Sequence, residues 1–185
     1  MVRTGGWSEL FSDEGSAYWI AARALNVFSR MSDGRLPEDP LAQLLCEHLQ
    51  LTSILEVIDV ALNCWQGHGS EIASLTPLVV EPTPAGDTEA NAILVEACRE
   101  LALLVDSTRR QLGFSIRDMV LVSYSGGVFR SVRVLAGFTG FLRGCSGLRA
   151  GEVSGSCAAG HRRADRRWGG GSSAPGRGMQ AHQDQ

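Results

Sequence analysis

The opening stretch of the chain combines residue types that could bind a polar ligand. The glycine pair Gly5–Gly6 precedes Trp7, and Asp13 follows six residues after the tryptophan, just before an apolar helical pattern. Glycines leave backbone N–H groups uncovered and allow positive φ, and a carboxylate is favourable near a helix N-terminus. The pattern predicts a loop that holds a ligand between backbone donors and a fixed carboxylate. An ordinary helix with a turn in front, capped by Ser12 or Asp13, explains the same residues.

The elements that must position this loop are mostly helical. Apolar residues recur at helical spacing over five segments: 17–31, 40–49, 52–65, 70–79 and 87–113. Of these, 87–113 is the most regular and 52–65 is apolar enough to predict a largely buried helix, while Pro77 predicts a kink or an early end in 70–79. Asp87 is well placed to cap the long helix. Residues 119–124 are apolar and β-branched and run into Ser125-Gly126-Gly127, which predicts a buried strand ending in a glycine turn.

Composition excludes several classes of chemistry. All seventeen basic residues are arginines, so the chain has no lysine for a Walker-type phosphate loop or a Schiff base. The five cysteines are odd in number and include no C-x-x-C pair, and the histidines have no ligand spacing, so we expect free thiols and no metal site. With a net charge of −3 and no long apolar run, we expect a soluble cytoplasmic protein without nucleic-acid or membrane partners.

Charge and glycine are distributed unevenly along the chain. Residues 1–130 contain nine arginines and seventeen acidic residues, whereas residues 131–185 contain eight arginines and three acidic residues. Fourteen of the 22 glycines lie from Gly126 onward. We therefore divide the chain into a folded domain, 1–131, and a disordered Gly/Arg-rich tail, 132–185. One hypothesis for the change at Ser131 is that the tail is translated out of the ancestral reading frame.

The order Gly-Gly-Trp-x5-Asp-Glu-Gly-Ser-x-Tyr-Trp-Ile over residues 5–20 resembles the N-acetylglucosamine kinases of the BadF/BadG/BcrA/BcrD ATPase family. The resemblance implies an α/β fold, as the incomplete C-terminal lobe of an actin-like (ribonuclease H-like) ATPase, mostly helical with a fragmentary sheet. It implies ATP-dependent phosphorylation of an amino sugar, N-acetylglucosamine or glucosamine, with ATP and Mg²⁺ as cofactors. Two positions depart from the family pattern, because Ser8 and Ser12 stand where glycine is usual.

Site residues follow from the resemblance at matching positions. It implies that Gly6, Trp7 and Asp13 face the sugar. It also implies that two glycine-containing turns approach the nucleotide, one formed by Ala85 and Gly86 and the other by Gly126 and Gly127. A simple corner between helices explains Ala85 and Gly86 equally well. No residue of the chain corresponds to the family's catalytic aspartate.

The resemblance extends from residue 3 to about residue 131, so the family's first phosphate-binding hairpin, catalytic strand and second phosphate loop are not matched. Phosphoryl transfer depends on such loops and on a base for the attacking hydroxyl. We therefore expect a truncated form that is inactive alone. One alternative is a non-catalytic interaction module that pairs with an intact homologous kinase or forms a homodimer. Another is an activator of a dehydratase that uses an iron–sulfur cluster, which the absence of paired cysteines disfavours.

Overall fold

The fold was analysed in a computed structural model, which describes residues 1–65, 68–81 and 87–144. Seven α-helices lie in these ranges: α1 Ala17–Ser32, α2 Pro40–Leu49, α3 Glu56–Asp59, α4 Gly69–Ala73, α5 Thr76–Val80, α6 Thr88–Gln111 and α7 Val132–Gly144. A π-helical turn, Val60–Cys64, continues α3, and a 3₁₀ turn, Gly127–Arg130, precedes α7. The described part of the chain is therefore helical, as the hydrophobic periodicity predicts.

Helix α1 forms the centre of the core. It contacts α2, α4, α5 and α6, and its inward face is fully buried at Ile20, Ala24 and Phe28. These residues lie four apart, which puts them on one side of a helix. Burial of a large aliphatic or aromatic side chain contributes about 1.5–3 kcal/mol. The face of α1 is thus the main apolar surface on which the shorter helices pack.

Helix α6 is the longest element of the described chain, and its predicted start is confirmed. The Asp87 carboxylate accepts a hydrogen bond from the Ala90 N–H at 2.9 Å and is fully buried. The helix has 24 residues, equivalent to about 36 Å at 1.5 Å per residue. The helix ends at Gln111 and is capped by Leu112; Gly113, directly after the cap, has φ of +79°, a conformation that favours glycine at this position.

Helix α7 corrects the predicted domain boundary at Ser131. The expectation of a disordered tail from residue 132 does not hold for residues 132–144, which form a helix whose Val134, Phe138 and Leu142 are buried. The segment is helical because its apolar residues recur every four positions and so lie on one helix face, and the glycines between them do not interrupt that face. The rest of the predicted tail, 145–185, lies outside the described residues.

Helices α6 and α7 approach each other closely where two small residues meet. A Cβ atom built on Gly137 would lie 2.6 Å from the Cys98 sulfur, so only glycine fits at this point of α7. The Cys98 thiol donates to the Val134 carbonyl at 3.5 Å. Burial raises the pKa of the Cys98 thiol, which therefore stays protonated and packs as a small apolar group.

The predicted strand 119–124 is an extended segment without a sheet. Within the described chain, the only β-bridge joins Ser8 and Ser12, and no strand forms elsewhere. Side chains of the segment still alternate: Val120, Val122 and Tyr124 pack against the apolar cluster around Phe138, while the intervening residues are exposed. The prediction of a buried strand is wrong for the outward residues Met119 and Leu121, and a strand also requires a neighbouring strand for its backbone groups.

The predicted helix 52–65 is also wrong in length and burial. It reduces to α3 and the π-helical turn, and none of their residues is buried. Four of its large apolar side chains are more than two-fifths exposed: Ile54, Leu55, Ile58 and Leu62. The apolar composition of this segment predicted burial, but it is mainly the Val57 and Trp65 side chains that pack against the core.

One carboxylate joins the N-termini of two helices. Asp39 Oδ1 accepts from the Leu41 N–H in the first turn of α2, and its Oδ2 accepts from the Glu89 N–H in the first turn of α6, each at 3.0 Å. Both amides would otherwise lack an intrahelical partner. Asp39 therefore caps α2 and fixes α2 against α6 at the same time.

We expect Asp39→Ala to lower the free energy of unfolding by about 1–3 kcal/mol, because two helix N-termini lose an acceptor. Asp39→Asn should lose about half as much, since the amide group retains one acceptor oxygen. Urea denaturation of the parent chain and the two variants measures these free energies of unfolding. Equal stability of Asp39→Asn and the parent chain would show that one of the two hydrogen bonds contributes nothing.

Candidate functional site

The opening loop closes on itself and brings three of the predicted sugar-facing residues together. The Trp7 N–H donates to the Ser12 carbonyl at 3.0 Å, and the Ser12 N–H donates to the Ser8 carbonyl at 2.8 Å. This narrow turn holds the backbone of Trp7 against that of Ser12, the residue before Asp13. The sequence interval of six residues between Trp7 and Asp13 thus becomes a short distance in space.

The Trp7 ring is presented at the surface. It is 64% exposed, and the Arg3 guanidinium carbon lies 5.1 Å from its ring centroid. Arg3 also donates to the carbonyl oxygens of Gly5 and Gly6. Arginine over an indole face is a favourable cation–π arrangement. Arg3 therefore orients both the ring and the glycine backbone, a role that the sequence did not reveal.

Asp13 is half-buried, and its carboxylate is available for a ligand. Among the described residues no group donates to this carboxylate, while the Asp13 carbonyl accepts from the Ser16 N–H at 3.0 Å. The cap of α1 is Ser16, whose hydroxyl accepts from the Trp19 N–H at 3.0 Å. The prediction that Ser12 or Asp13 caps this helix is wrong, because Gly15, with φ of +81°, turns the chain before the helix begins.

The loop lies directly on the side of α6. A Cβ atom on Gly5 would come within 2.5 Å of Leu104 Cδ2, and one on Gly15 within 2.6 Å of Leu101 Cγ. Hydrogen bonding adds to this contact, because the Thr108 hydroxyl donates to the Thr4 hydroxyl at 2.9 Å. Both glycines have positive φ. The loop is thus positioned by the backbone approaching the helix more closely than a side chain would allow.

The two departures from the family pattern cause no backbone strain. Among the described residues the only non-glycine with positive φ is Gln50, so Ser8 and Ser12 adopt conformations open to any residue. The Ser8 hydroxyl even accepts from the Leu10 N–H at 3.2 Å. Serine at these positions is compatible with the shape of the loop.

The second predicted glycine pair forms a turn at the end of the extended segment. Gly126 has φ of +127°, and Cβ atoms built on Gly126 and Gly127 would meet nothing within 4 Å. Beside the turn, Phe129 packs against Tyr124 and Phe138 with centroid distances of 4.9 and 5.1 Å. The turn is therefore anchored on one side and open on the other. The other predicted pair, Ala85 and Gly86, lies outside the described residues.

The opening loop and the extended segment that precedes the second glycine pair lie beside the same part of α6. Gly5 and Thr4 of the opening loop contact Leu104 and Thr108 respectively. The same two α6 residues line a cavity of about 310 Å³, whose opposite wall is the extended segment 120–123. Sequence reasoning missed this role of α6. The helical pattern identified its apolar face, but nothing in it indicated which turns would hold loops.

No group of three or more His, Cys, Asp or Glu side chains in the described ranges is arranged to hold a metal ion. Of the helices that the structure describes, none is long and apolar enough to cross a membrane.

Comparisons with known proteins agree with the fold and the motif. The model of the BadF/BadG/BcrA/BcrD ATPase family matches residues 1–143. An N-acetyl-D-glucosamine kinase of Dictyostelium discoideum is 34% identical over 125 residues, covering 68% of this chain and 39% of its own. An N-acetylmuramic acid/N-acetylglucosamine kinase of Clostridium acetobutylicum is 32% identical over 134 residues, covering 72% and 43%.

A solved structure gives the class of fold. A candidate N-acetylglucosamine kinase from Chromobacterium violaceum superposes with a TM-score of 0.59 at 22% identity, covering 82% of this chain and 48% of its own. The described chain thus shares the fold of the part of this neighbour that the superposition covers. The chain belongs to the BadF/BadG/BcrA/BcrD ATPase family, which confirms the resemblance at residues 5–20. It spans less than half the length of the curated relatives it matches.

The family match also extends past Ser131 into α7. The hypothesis of a change of reading frame directly after Ser131 is therefore wrong for residues 132–143.

Gly15→Ala tests the contact between the loop and α6. We expect it to lower the free energy of unfolding by about 2–4 kcal/mol, because it adds both a positive-φ penalty and overlap with Leu101. Gly34→Ala is the matched control: Gly34 has φ of +78°, but a Cβ there meets nothing within 4 Å. This control should cost only about 1–2 kcal/mol. If urea denaturation shows that both variants lose the same free energy of unfolding, the Leu101 side chain moves aside for the added methyl group at no cost.

Proposed function

We propose that the opening loop binds an amino sugar, N-acetylglucosamine or glucosamine. The observation that supports it is that one loop, fixed to α6, carries both the exposed Trp7 ring and the half-buried Asp13 carboxylate, to which no described residue donates. A carboxylate accepts hydrogen bonds from sugar hydroxyls, and a charge-assisted bond is stronger than a neutral one. Sugar kinases among the relatives support the same ligand class.

ATP is the proposed second ligand, at the turn formed by Gly126 and Gly127. The fit is favourable, because both glycines face open space and Phe129 anchors the turn from behind. A flat base could therefore lie against the backbone without displacing a side chain. Ala85 and Gly86 belong to the same proposal by family resemblance.

Mg²⁺ would accompany ATP. Proteins commonly hold this ion through one or two carboxylates together with substrate phosphates. The described residues present no cluster of metal ligands, so no residue is assigned to the ion and no chemical step is derived through it.

The activity proposed for the family fold is transfer of a phosphoryl group from ATP to a hydroxyl of the amino sugar. Such transfer depends on positioning and on electrostatic stabilisation by phosphate-binding loops and a base for the attacking hydroxyl. In this chain the opening loop would hold the acceptor sugar and the glycine turn the nucleotide. We assign no catalytic residue, and propose that this chain binds both ligands without turning them over.

Binding of N-acetylglucosamine to the full chain tests the sugar site. We expect Asp13→Ala to weaken the affinity at least tenfold, about 1.4 kcal/mol, because the sugar loses a charged acceptor. The matched control, Asp33→Ala, removes an exposed carboxylate that pairs with Arg35 in another loop and should leave the affinity unchanged. Calorimetric titration measures both.

Absence of binding by the parent chain would contradict the proposed sugar site. Release of ADP that requires both ATP and the sugar would instead contradict the proposed inactivity, since the parent chain should show none above background.

Gly127→Val tests the nucleotide turn. We expect ATP affinity to fall at least tenfold, because an isopropyl group would fill the space that the base requires, while sugar binding stays unchanged. Gly140→Val is the control, since a Cβ at Gly140 on α7 also meets nothing within 4 Å. Fluorescence titration with an ATP analogue compares the two variants. Unchanged affinity in Gly127→Val would place the nucleotide elsewhere.

A further inference from the structure

One arginine side chain joins the start of α7 to two other helices. The Arg133 guanidinium donates through Nη1, at 2.7 Å, to the carbonyl of Glu81, the C-terminal cap of α5. Through Nη2 it donates to Asn91 Oδ1 in the first turn of α6. Asn91 is fixed in turn, because its Nδ2 donates to the carbonyl of Asp87, the cap of α6. The planar fork of Arg133 therefore holds α7 against α5 and α6 together.

The residue before α7, Ser131, links this helix to the glycine turn. Its N–H donates to the Val128 carbonyl at 3.2 Å, which closes the 3₁₀ turn, and its carbonyl accepts from the Leu135 N–H in α7 at 3.0 Å. The Ser131 hydroxyl is buried and donates to the Val80 carbonyl at 3.1 Å. Since Ser131 takes part in both elements, a displacement of the start of α7 also displaces the turn.

The glycine turn depends on such outside contacts for its position. Gly126 and Gly127 have no side chain, and a Cβ atom on either would meet nothing within 4 Å. Glycine also loses more conformational freedom on ordering than any other residue. The Phe129 ring fixes one side of the turn, and the start of α7, held by Arg133, fixes the other.

We propose that Arg133 is a positioning residue for nucleotide binding, which keeps Gly126 and Gly127 in the arrangement that accepts the base. The inference rests on the proposed ATP site. A site that is in its binding-competent arrangement only part of the time loses apparent affinity in proportion. A turn that is correctly placed about one tenth of the time would therefore bind ATP about tenfold more weakly.

Fluorescence titration of the full chain with an ATP analogue tests this role. We expect Arg133→Ala to weaken the affinity about tenfold. Arg133→Lys keeps the charge but offers one nitrogen in place of a fork, so its affinity should lie between those of the parent chain and Arg133→Ala.

Asn91→Ala separates positioning from a direct attraction between the guanidinium and the phosphates. This variant leaves the charge of Arg133 in place and removes one of the groups that hold it. We expect it to weaken the affinity about threefold. In the double variant with Arg133→Ala it should cause no further loss, because the two residues act through one contact.

Arg23→Ala is the matched control, because Arg23 also joins two helices, α1 and α6, through its ion pair with Glu96 at 3.0 Å. It should keep the parent's affinity for the ATP analogue. All variants should keep the parent's circular dichroism spectrum. Sugar affinity should be unchanged in Arg133→Ala, since the opening loop contacts α6 at Leu101, about three turns beyond Asn91.

Several outcomes would overturn the inference and leave the ATP site in place. These are the parent's ATP affinity in Arg133→Ala, in Arg133→Lys or in Asn91→Ala, and an equal loss of sugar affinity in Arg133→Ala. The parent's affinity in Arg133→Lys would show that only the charge matters. A parent chain that binds no ATP analogue would overturn the proposed ATP site and this inference together.

Discussion

The structure depends on how closely backbone can approach helix α6. At Gly5, Gly15 and Gly137, the chain passes so near to α6 that an added methyl group would overlap its side chains. Two of these glycines fix the opening loop, and the third fixes α7. Since interiors are packed at crystal-like density, such contacts hold an element in one position. The opening loop therefore gains its position from contact with α6.

Features that depend on residues close together in the sequence could be predicted from the sequence. The long helix after Asp87 follows from a cap and regular spacing, and the opening loop follows from glycines next to a tryptophan and a carboxylate. The position of the loop on α6 could not be predicted, because Leu101 and Leu104 look like ordinary members of an apolar face. The cap at Ser16 was missed for a similar reason: the positive φ of Gly15 is visible only in the folded chain.

The errors arose where structure depends on distant partners. Residues 119–124 have the side chains of a strand, yet a strand is defined by its neighbours, and the described chain provides none. Conversely, residues 132–144 looked irregular because of their glycines, but Gly137 is the residue that lets α7 reach Cys98. Composition could not distinguish a glycine that disrupts a helix from one that permits close packing.

Asp39 also affects the order in which the fold can form. Its carboxylate accepts hydrogen bonds from Leu41, two residues away, and from Glu89, fifty residues away. The first contact can form in a nascent helix, whereas the second requires the intervening chain to have collapsed, and such non-local contacts slow folding. The same side chain thus takes part in an early local step and in a late one. Docking of α2 on α6 stabilises the finished fold and does little to guide the chain toward it.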